Sequence, residues 1–470
     1  MIFLRRTGNS CDGPAATGSH LGSIEVKDTM RSHRLNCATL AFATLLVITT
    51  VPAALAIAAP DPVVAAIDAN DVTALETLAK SATTAHQRSL AAGALLALHH
   101  EDTLAIAALK PLIRSGASPQ VRASAYLVLS KVFLVDQRYR DSYSAIRAAL
   151  RVSPHSVGFT DLQTMAFVRL LSNAKPMRVV RESPGSLPIT RDQAGLLRVP
   201  VKIDGQTRHA IADTGAAFST MSASTAKAVG LQMLRRSATV RSATERAVAT
   251  RIGIARRLQI GDTTLANVVF IVLPDAALRF PHGYRINAII GLPVLMALER
   301  LEVVNSRSPV LFYDIASGKL AGRIESESSV LLSGLSPVVL ARIPRAVHSL
   351  TMKLDSGANV TTLNHNAIVD APVLRAHSER HVLRIGGAGG DVNAQRALQL
   401  PELTLVIGGR RFILKNVAVS PRASVGNDGT IGEDILRQGS RWELDFRTMK
   451  LMIAGRRSGG QRRFASKSKE

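Results

Sequence analysis

The stretch "AIADTGAAFS" (residues 210–219) places an aspartate, Asp213, directly after a short apolar run and before a threonine and a glycine. A second stretch, "TMKLDSGANVTTL" (351–363), repeats this arrangement around Asp355. At average residue usage, an Asp-Thr/Ser-Gly triplet occurs by chance about once in a few thousand residues. Two copies in matching surroundings therefore indicate a shared role for the two aspartates rather than two unrelated turns.

The repeat extends well beyond the two triplets. Two further pairs of segments match in the same order: "LQIGDTTLANVVFIV" (258–272) with "LVIGGRRFILKNVAV" (405–419), and "NAIIGLPVL" (287–295) with "GTIGEDIL" (429–436). Asp213 precedes Gly291 by 78 residues, and Asp355 precedes Gly432 by 77. These segments are rich in β-branched residues and are separated by Gly and Asp-Gly turns, as is typical of short strands. The sequence thus predicts two copies of one β-rich unit.

Changes in composition along the chain predict five regions. They are an N-terminal extension with a signal peptide (1–59), an α-helical domain (60–178), a first β lobe (190–320), a second β lobe (325–455) and a basic disordered tail (456–470). In the helical region Ala and Leu recur at spacings of three and four residues. Residues 123–154 resemble a tetratricopeptide repeat, with Ser130 and Ala149 where two helices approach closely. A plain helical bundle remains the alternative.

An uncharged apolar run indicates export of the protein. Residues 38–59 contain no charged residue, follow Arg31 and Arg34, and end in small residues. This pattern is typical of a secretory signal peptide, so we expect a periplasmic or secreted protein after cleavage. A run of this length can also span a bilayer, and the protein would be membrane-anchored if the segment were retained.

Composition and motifs argue against several other function classes. The net charge is +23, but the basic residues are scattered and form no zinc-finger or nucleic-acid-binding motif. Cys11 and Cys37 precede the predicted domains, and the histidines show no metal-ligand spacing, so we expect no disulfide, metal or cofactor. The chain lacks a phosphate-binding loop and a Gly-x-Ser-x-Gly nucleophile motif.

Two aspartates at equivalent loops of a duplicated unit can act as a pair. Like charges held close together cannot both ionise, so Asp213 and Asp355 would share one proton. One carboxylate would then activate a water molecule while the other donates a proton to the substrate carbonyl. The hydroxyls of Thr214 and Ser356 can lock this geometry across the interface. The glycines that follow them, Gly215 and Gly357, allow tight loops around the carboxylates.

On these residues the sequence resembles the aspartic proteases, with pepsin-like and retropepsin-like relatives, over about 190–455. The resemblance rests on both triplets and on two apolar-Gly elements, Ile289-Ile290-Gly291 and Thr430-Ile431-Gly432. Ala216 and Ala358 after the triplets look more like the retropepsin version. The resemblance implies an all-β, double-lobed acid-protease fold, with two six-stranded-type barrels on a pseudo-twofold axis. Fused halves behind an export signal resemble bacterial aspartyl proteases.

The same resemblance implies a mobile hairpin, the flap, that closes over the substrate. In the second lobe the candidate flap tip contains four glycines: Gly386, Gly387, Gly389 and Gly390. In the first lobe the candidate is "RSATERAV" (241–248). Neither candidate contains the tyrosine of pepsin-like flaps.

The sequence therefore predicts an exported aspartic endopeptidase that acts on polypeptides, with a helical domain that binds substrate or a protein partner. The helical domain could instead be a pro-segment that blocks the cleft. The alternative function is a protease-like protein that binds peptides without cutting them and is presented by a helical scaffold.

Overall fold

The computed structural model describes residues 3–4, 61–241, 247–313, 323–387, 390–424 and 426–455. The predicted signal peptide and the basic tail lie outside these residues. Within the described part of the chain, no helix is both long and apolar enough to cross a membrane.

The chain from residue 61 to 175 is helical. Its helices are α1 (Pro62–Ala69), α2 (Val72–Ser81), α3 (Ala85–Leu98), α4 (Asp102–Arg114), α5 (Pro119–Val135), α6 (Tyr139–Val152) and α7 (Phe159–Leu171). The side chain of Asp61 caps α1 and that of Ser118 caps α5, each accepting backbone N–H groups of the first turn. Between α5 and α6, the Ser142 hydroxyl donates to the Ser130 carbonyl at 2.9 Å. The predicted helical region is therefore present, while its relation to tetratricopeptide repeats stays a prediction.

The rest of the described chain consists mainly of strands. The earlier ones are β1 (Phe3–Leu4), β2 (Arg178–Arg181), β3 (Gly185–Pro188), β4 (Thr190–Arg191), β5 (Leu197–Ile203), β6 (Gln206–Ala212), β7 (Ser219–Ser222), β8 (Gln232–Arg241), β9 (Ala247–Ile260), β10 (Thr263–Leu273), β11 (Ala288–Ile290), β12 (Arg300–Val304) and β13 (Val310–Tyr313), with helices α8 (Ala223–Ala228) and α9 (Leu292–Met296).

The later strands are β14 (Ile324–Ser329), β15 (Leu331–Leu332), β16 (Pro337–Arg342), β17 (Ser349–Leu354), β18 (Thr362–Leu363), β19 (Glu379–Gly387), β20 (Gly390–Ile407), β21 (Arg410–Val419), β22 (Gly429–Ile431), β23 (Arg441–Asp445) and β24 (Lys450–Ala454), with helices α10 (His365–Asp370), α11 (Val373–Ala376) and α12 (Glu433–Leu436).

Six strands close into a barrel in each β-rich part. The first ring runs β9-β10-β7-β11-β6-β5 and closes on β9, and the second runs β20-β21-β18-β22-β17-β16 and closes on β20. In both rings the same two pairs are parallel: β6 with β11 and β7 with β10, and β17 with β22 and β18 with β21. Further strands extend both sheets, and β1 pairs with β19 at one edge. A closed six-stranded barrel with added strands after a helical region is consistent with the predicted β acid-protease fold.

A third sheet, which the sequence analysis did not predict, connects the two β-rich parts. Its order is β14-β24-β23-β12-β13-β3, and β12 pairs with β23 over five residues in antiparallel register. Two ion pairs cross this central strand pair: Arg300 with Glu443, and Arg441 with Glu302, each at 2.5 Å. An apolar core of mainly aliphatic side chains runs continuously through both barrels.

The helical region packs against both barrels. The Asn70 side chain, after α1, donates to the Gly426 carbonyl at 2.8 Å and accepts from the Ser333 hydroxyl at 3.0 Å. On the other side, the ring of Phe167 in α7 lies 4.7 Å from that of Phe218. The helical region therefore contacts both barrels through residues that the sequence analysis of each region alone did not predict to meet.

The buried ion pair in the third sheet should be important for stability. The side chains of Arg300 and Glu443 are 6% and 1% exposed, so Arg300→Met would leave a buried carboxylate without its cation. We expect a loss of about 3 kcal/mol in the free energy of unfolding. Urea unfolding can be followed by the fluorescence of Trp442, the single tryptophan, which is buried in the same sheet.

Lys415 provides the matched control for this variant, because its ion pair with Glu402 is exposed. Lys415→Met should change the free energy of unfolding by less than about 0.5 kcal/mol. Equal unfolding midpoints for the Arg300 and Lys415 variants would contradict the assigned role of the buried pair.

Candidate active site

The two aspartates lie at equivalent strand ends. Asp213 follows β6 and Asp355 follows β17, and each is 1% exposed. The backbone N–H of Asp213 donates to the Ile290 carbonyl and that of Asp355 to the Ile431 carbonyl, both at 3.0 Å. Each aspartate is thus anchored to the strand of the apolar-Gly element in its own barrel, β11 or β22, which gives the two carboxylates matching supports.

Each carboxylate lies against the glycine of the other triplet. A Cβ atom added to Gly215 would lie 2.2 Å from Cγ of Asp355, and one added to Gly357 would lie 2.3 Å from Cγ of Asp213. The two carboxylates are also close enough to interact, since, besides burial, the charge of Asp355 helps to raise the pKa of Asp213. The glycines are therefore needed for close approach: any side chain at these positions would push the carboxylates apart.

Backbone N–H groups hold each carboxylate within its own loop. The Gly215 N–H donates to Oδ1 of Asp213, and the Gly357 N–H donates to Oδ1 of Asp355, both at 2.9 Å. These bonds favour the ionised form of a carboxylate and fix its orientation. One oxygen of each aspartate is thereby directed into its loop.

The hydroxyl residues of the two triplets cross between the barrels. The Thr214 N–H donates to the Ser356 Oγ and the Ser356 N–H donates to the Thr214 Oγ1, both at 3.0 Å. The Thr214 hydroxyl then donates to the Leu354 carbonyl, and the Ser356 hydroxyl donates to the Ala212 carbonyl, both at 2.9 Å. Four hydrogen bonds, three of them buried and one partly buried, therefore join the two loops reciprocally.

The residues after the triplets connect the loops to the segments behind them. The Ala216 carbonyl accepts from Leu292 N–H and the Ala358 carbonyl accepts from Glu433 N–H, both at 2.8 Å. These bonds tie each loop to the short helix, α9 or α12, that follows the apolar-Gly element.

Two hydroxyl groups that the sequence analysis did not assign complete the support. The Ser219 hydroxyl accepts from Gly291 N–H, and the Thr361 hydroxyl accepts from Gly432 N–H, both at 3.1 Å. Each hydroxyl residue comes six residues after its aspartate, so the internal repeat could have indicated that the two have equivalent positions. The Thr361 hydroxyl in turn donates to the Asp434 carboxylate at 2.7 Å. The first barrel has no equivalent of this bond, because Pro293 stands at the position that matches Asp434.

The electrostatic environments of the two carboxylates differ. Burial, together with the charge of Asp355, raises the pKa of Asp213 to about 7. Burial also disfavours ionisation of Asp355, whereas opposing interactions, which include those with Lys353, Asp213 and the Gly357 N–H, favour it, and the net effect lowers the pKa of Asp355 to about 2. The pair therefore holds one proton between these values and titrates as a unit.

Lys353 is a charged residue of the site that the sequence analysis did not single out. Its Nζ lies 3.6 Å from Oδ2 of Asp355 and donates to the Gly215 carbonyl at 2.7 Å. Strand alternation could have indicated it, because side chains two residues apart point to the same face of a strand.

Two long hairpins contain the stretches predicted as flaps, and their role as flaps stays a prediction. In the second β-rich part, β19 ends with Gly386 and Gly387 and β20 begins with Gly390, while Gly389 lies outside the described residues. In the first, β8 ends at Arg241 and β9 begins at Ala247, around the predicted stretch 241–248.

The described residues contain no group of three or more His, Cys, Asp or Glu side chains arranged to hold a metal ion.

The crossed hydroxyl network should contribute measurably to stability. Thr214→Val keeps the shape of the side chain but leaves the buried Ser356 N–H without its acceptor, so we expect a loss of about 1–3 kcal/mol. Urea unfolding measures this loss, and Thr214→Ser, which keeps the hydroxyl, is the control. If Thr214→Val proved as stable as Thr214→Ser, the network would be energetically unimportant.

Comparison with known families bears on the first of the two barrels. Residues 199–294 match the family model described as aspartyl protease. No curated protein matches the chain. The matched segment begins in β5, contains the Asp213 loop and ends in α9. The family match and the closed barrel together support assigning this part of the chain to the aspartyl proteases.

Proposed function

We propose that this protein is an aspartic endopeptidase that hydrolyses polypeptides with a water molecule activated between Asp213 and Asp355. The observation that carries the proposal is the reciprocal contact of each carboxylate with the glycine of the other triplet. Such contact brings two acidic groups together in a buried place where only one of them ionises, so that the pair offers one base and one acid to a neutral amide.

In the first step the two carboxylates have different roles. Asp355, the group with the lowered pKa, accepts a proton from the water, whose oxygen attacks the carbonyl carbon of the scissile peptide bond. Asp213, the group with the raised pKa, donates its proton to the carbonyl oxygen. The product of this step is a neutral tetrahedral diol, and the pair again carries one proton, now on Asp355.

In the second step the diol collapses. Asp355 gives its proton to the amide nitrogen, a hydroxyl of the diol returns a proton to Asp213, and the C–N bond breaks. The carboxyl and amino products leave, and the pair regains its starting protonation. Burial of both aspartates, each 1% exposed, strengthens these charge interactions, because the local dielectric is low.

We further propose that the two barrels are the lobes of a double acid-protease fold, related by a pseudo-twofold axis that passes between the carboxylates. The identical strand order of the two rings and the paired contacts of Thr214 and Ser356 support this. The hairpins β8–β9 and β19–β20 would then act as two flaps over the substrate.

The remaining assignments follow from the sequence. The apolar run 38–59 supports export to the periplasm or beyond, with anchoring to the membrane if the run is retained. The helical region would bind a partner or the substrate. A peptide-binding protein without catalysis is the competing function, and the experiment below separates the two.

The paired aspartates should be essential for cleavage. The full chain is incubated with a denatured protein between pH 2 and 8, with and without a pepstatin-class inhibitor. We expect Asp213→Asn and Asp355→Asn each to reduce cleavage by roughly 10³-fold or more, because each removes one proton carrier. Asp262→Asn, at an exposed aspartate, is the matched control and should cleave normally.

Two results of this incubation would favour other interpretations. Absence of cleavage at every pH, with peptide binding unchanged in both Asn variants, would favour the peptide-binding function. New chain ends between 175 and 190 would show that the helical region is released as a pro-segment.

The rate should have a bell-shaped dependence on pH. Below about pH 2 the pair takes up a second proton and the base is lost; above about pH 7 the pair loses its remaining proton and the acid is lost. Because the Lys353 ammonium lowers the pKa of Asp355, Lys353→Met should move the acidic limb to higher pH. The limbs are measured as kcat/KM, which reports the free enzyme, and an acidic limb that did not move would contradict this role of Lys353.

A further inference from the structure

We propose that Lys353 binds a carboxylate of the substrate next to the scissile bond, so that the protein selects acidic substrates. This inference rests on the proposed function and specifies its substrate class. The carboxylate belongs either to an Asp or Glu side chain or to the C-terminus of the substrate, and both present the same chemistry to an ammonium group.

Lys353 lies between the two catalytic loops. It belongs to β17, two residues before Asp355, so its side chain points to the same face of the strand as that aspartate. Its Nζ extends from the second barrel to the loop of the first, where it donates to the Gly215 carbonyl at 2.7 Å. The ammonium therefore contacts both catalytic loops, 3.6 Å from Oδ2 of Asp355.

The matching position in the first barrel is closed and apolar. Ile211 lies two residues before Asp213 and is fully buried. Ala277 and Ile286, from the loop between β10 and β11, belong to the same buried apolar cluster as Ile211.

The second barrel lacks an equally long cover at this place. The loop between β10 and β11 has fourteen residues (274–287), whereas the loop between β21 and β22 has nine (420–428). The side chain of Lys353 is 23% exposed. The two barrels therefore present different residues at this position: the first has buried Ile211, and the second has the partly exposed ammonium of Lys353.

The ammonium of Lys353 has capacity for an additional acceptor. It carries three N–H donors, of which one is directed to the Gly215 carbonyl. Its distance of 3.6 Å from Oδ2 of Asp355 is longer than a normal hydrogen bond. A carboxylate that approaches from the exposed side can therefore accept a charge-assisted hydrogen bond without displacing either contact.

Paired peptides test the selection directly. Three peptides differ only in the residue beside the scissile bond, which is Glu, Gln or Lys. Two further peptides end beside the scissile bond, one with a free C-terminus and one with an amidated C-terminus. With the full chain we expect kcat/KM for Glu to exceed that for Gln by about tenfold. An advantage of Glu over Gln identifies the side chain as the source, and an advantage of the free over the amidated terminus identifies the C-terminus.

Variants of Lys353 show whether this residue carries the selection. Lys353→Met should reduce the Glu/Gln ratio to about one, Lys353→Arg should restore it, and Lys353→Glu should favour the Lys peptide. The ratio is taken at one pH, so that the effect of Lys353 on the aspartate pair cancels between substrates. Lys415→Met, which removes an exposed lysine away from the site, is the matched control and should keep the full ratio.

A binding measurement separates failure of this proposal from failure of the proposed function. Fluorescently labelled Glu and Gln peptides are titrated with the Asp213→Asn protein, with and without Lys353→Met. Tighter binding of Glu that is lost with Lys353→Met would support the selection even if the unmodified chain cleaved nothing. The selection proposal would be overturned if kcat/KM and binding affinity were equal for the Glu and Gln peptides and equal for the free and amidated termini. Cleavage of these peptides would in that case still support the proposed function.

Discussion

The close approach of two buried carboxylates is the constraint on which the rest of the structure depends. Asp213 and Asp355 each occupy the space that a Cβ atom would need at Gly357 and Gly215, respectively. Two acidic groups in such contact repel unless they share a proton, so their position must be imposed by the surroundings. The crossed bonds of Thr214 and Ser356 impose it, since every hydroxyl there contacts the opposite barrel.

The third sheet and its ion pairs extend this constraint to the whole β-rich region. Strands β12 and β23 pair between the two parts of the chain, and buried Arg300 neutralises Glu443 at that seam. Two ion pairs lie across this strand pair, whose antiparallel register joins the two parts of the chain over five residues. The two β-rich parts are therefore joined both at the aspartate loops and through the third sheet.

The two halves are similar in topology but differ in chemistry at the site. Lys353 and Ile211 stand at matching positions, yet one is an accessible cation and the other a covered aliphatic residue. The Lys353 charge acts to lower the pKa of both aspartates, and its Nζ lies 3.6 Å from Oδ2 of Asp355. The duplicated fold thus places the two aspartates in similar positions, and the residues that differ between the halves, such as Lys353 and Ile211, make their surroundings chemically different.

The sequence by itself determined the local elements: the helical region, the duplicated strands and the two Asp-Thr/Ser-Gly loops follow from hydrophobic periodicity and from an internal repeat, which are properties of neighbouring residues. Only the tertiary structure decided which distant groups meet. The Arg300–Glu443 pair and the hydrogen bond from Lys353 to Gly215 each join residues more than 130 positions apart, and so does the pairing of β12 with β23 in the third sheet. Such contacts depend on how whole barrels pack, and no local pattern of residues encodes that packing.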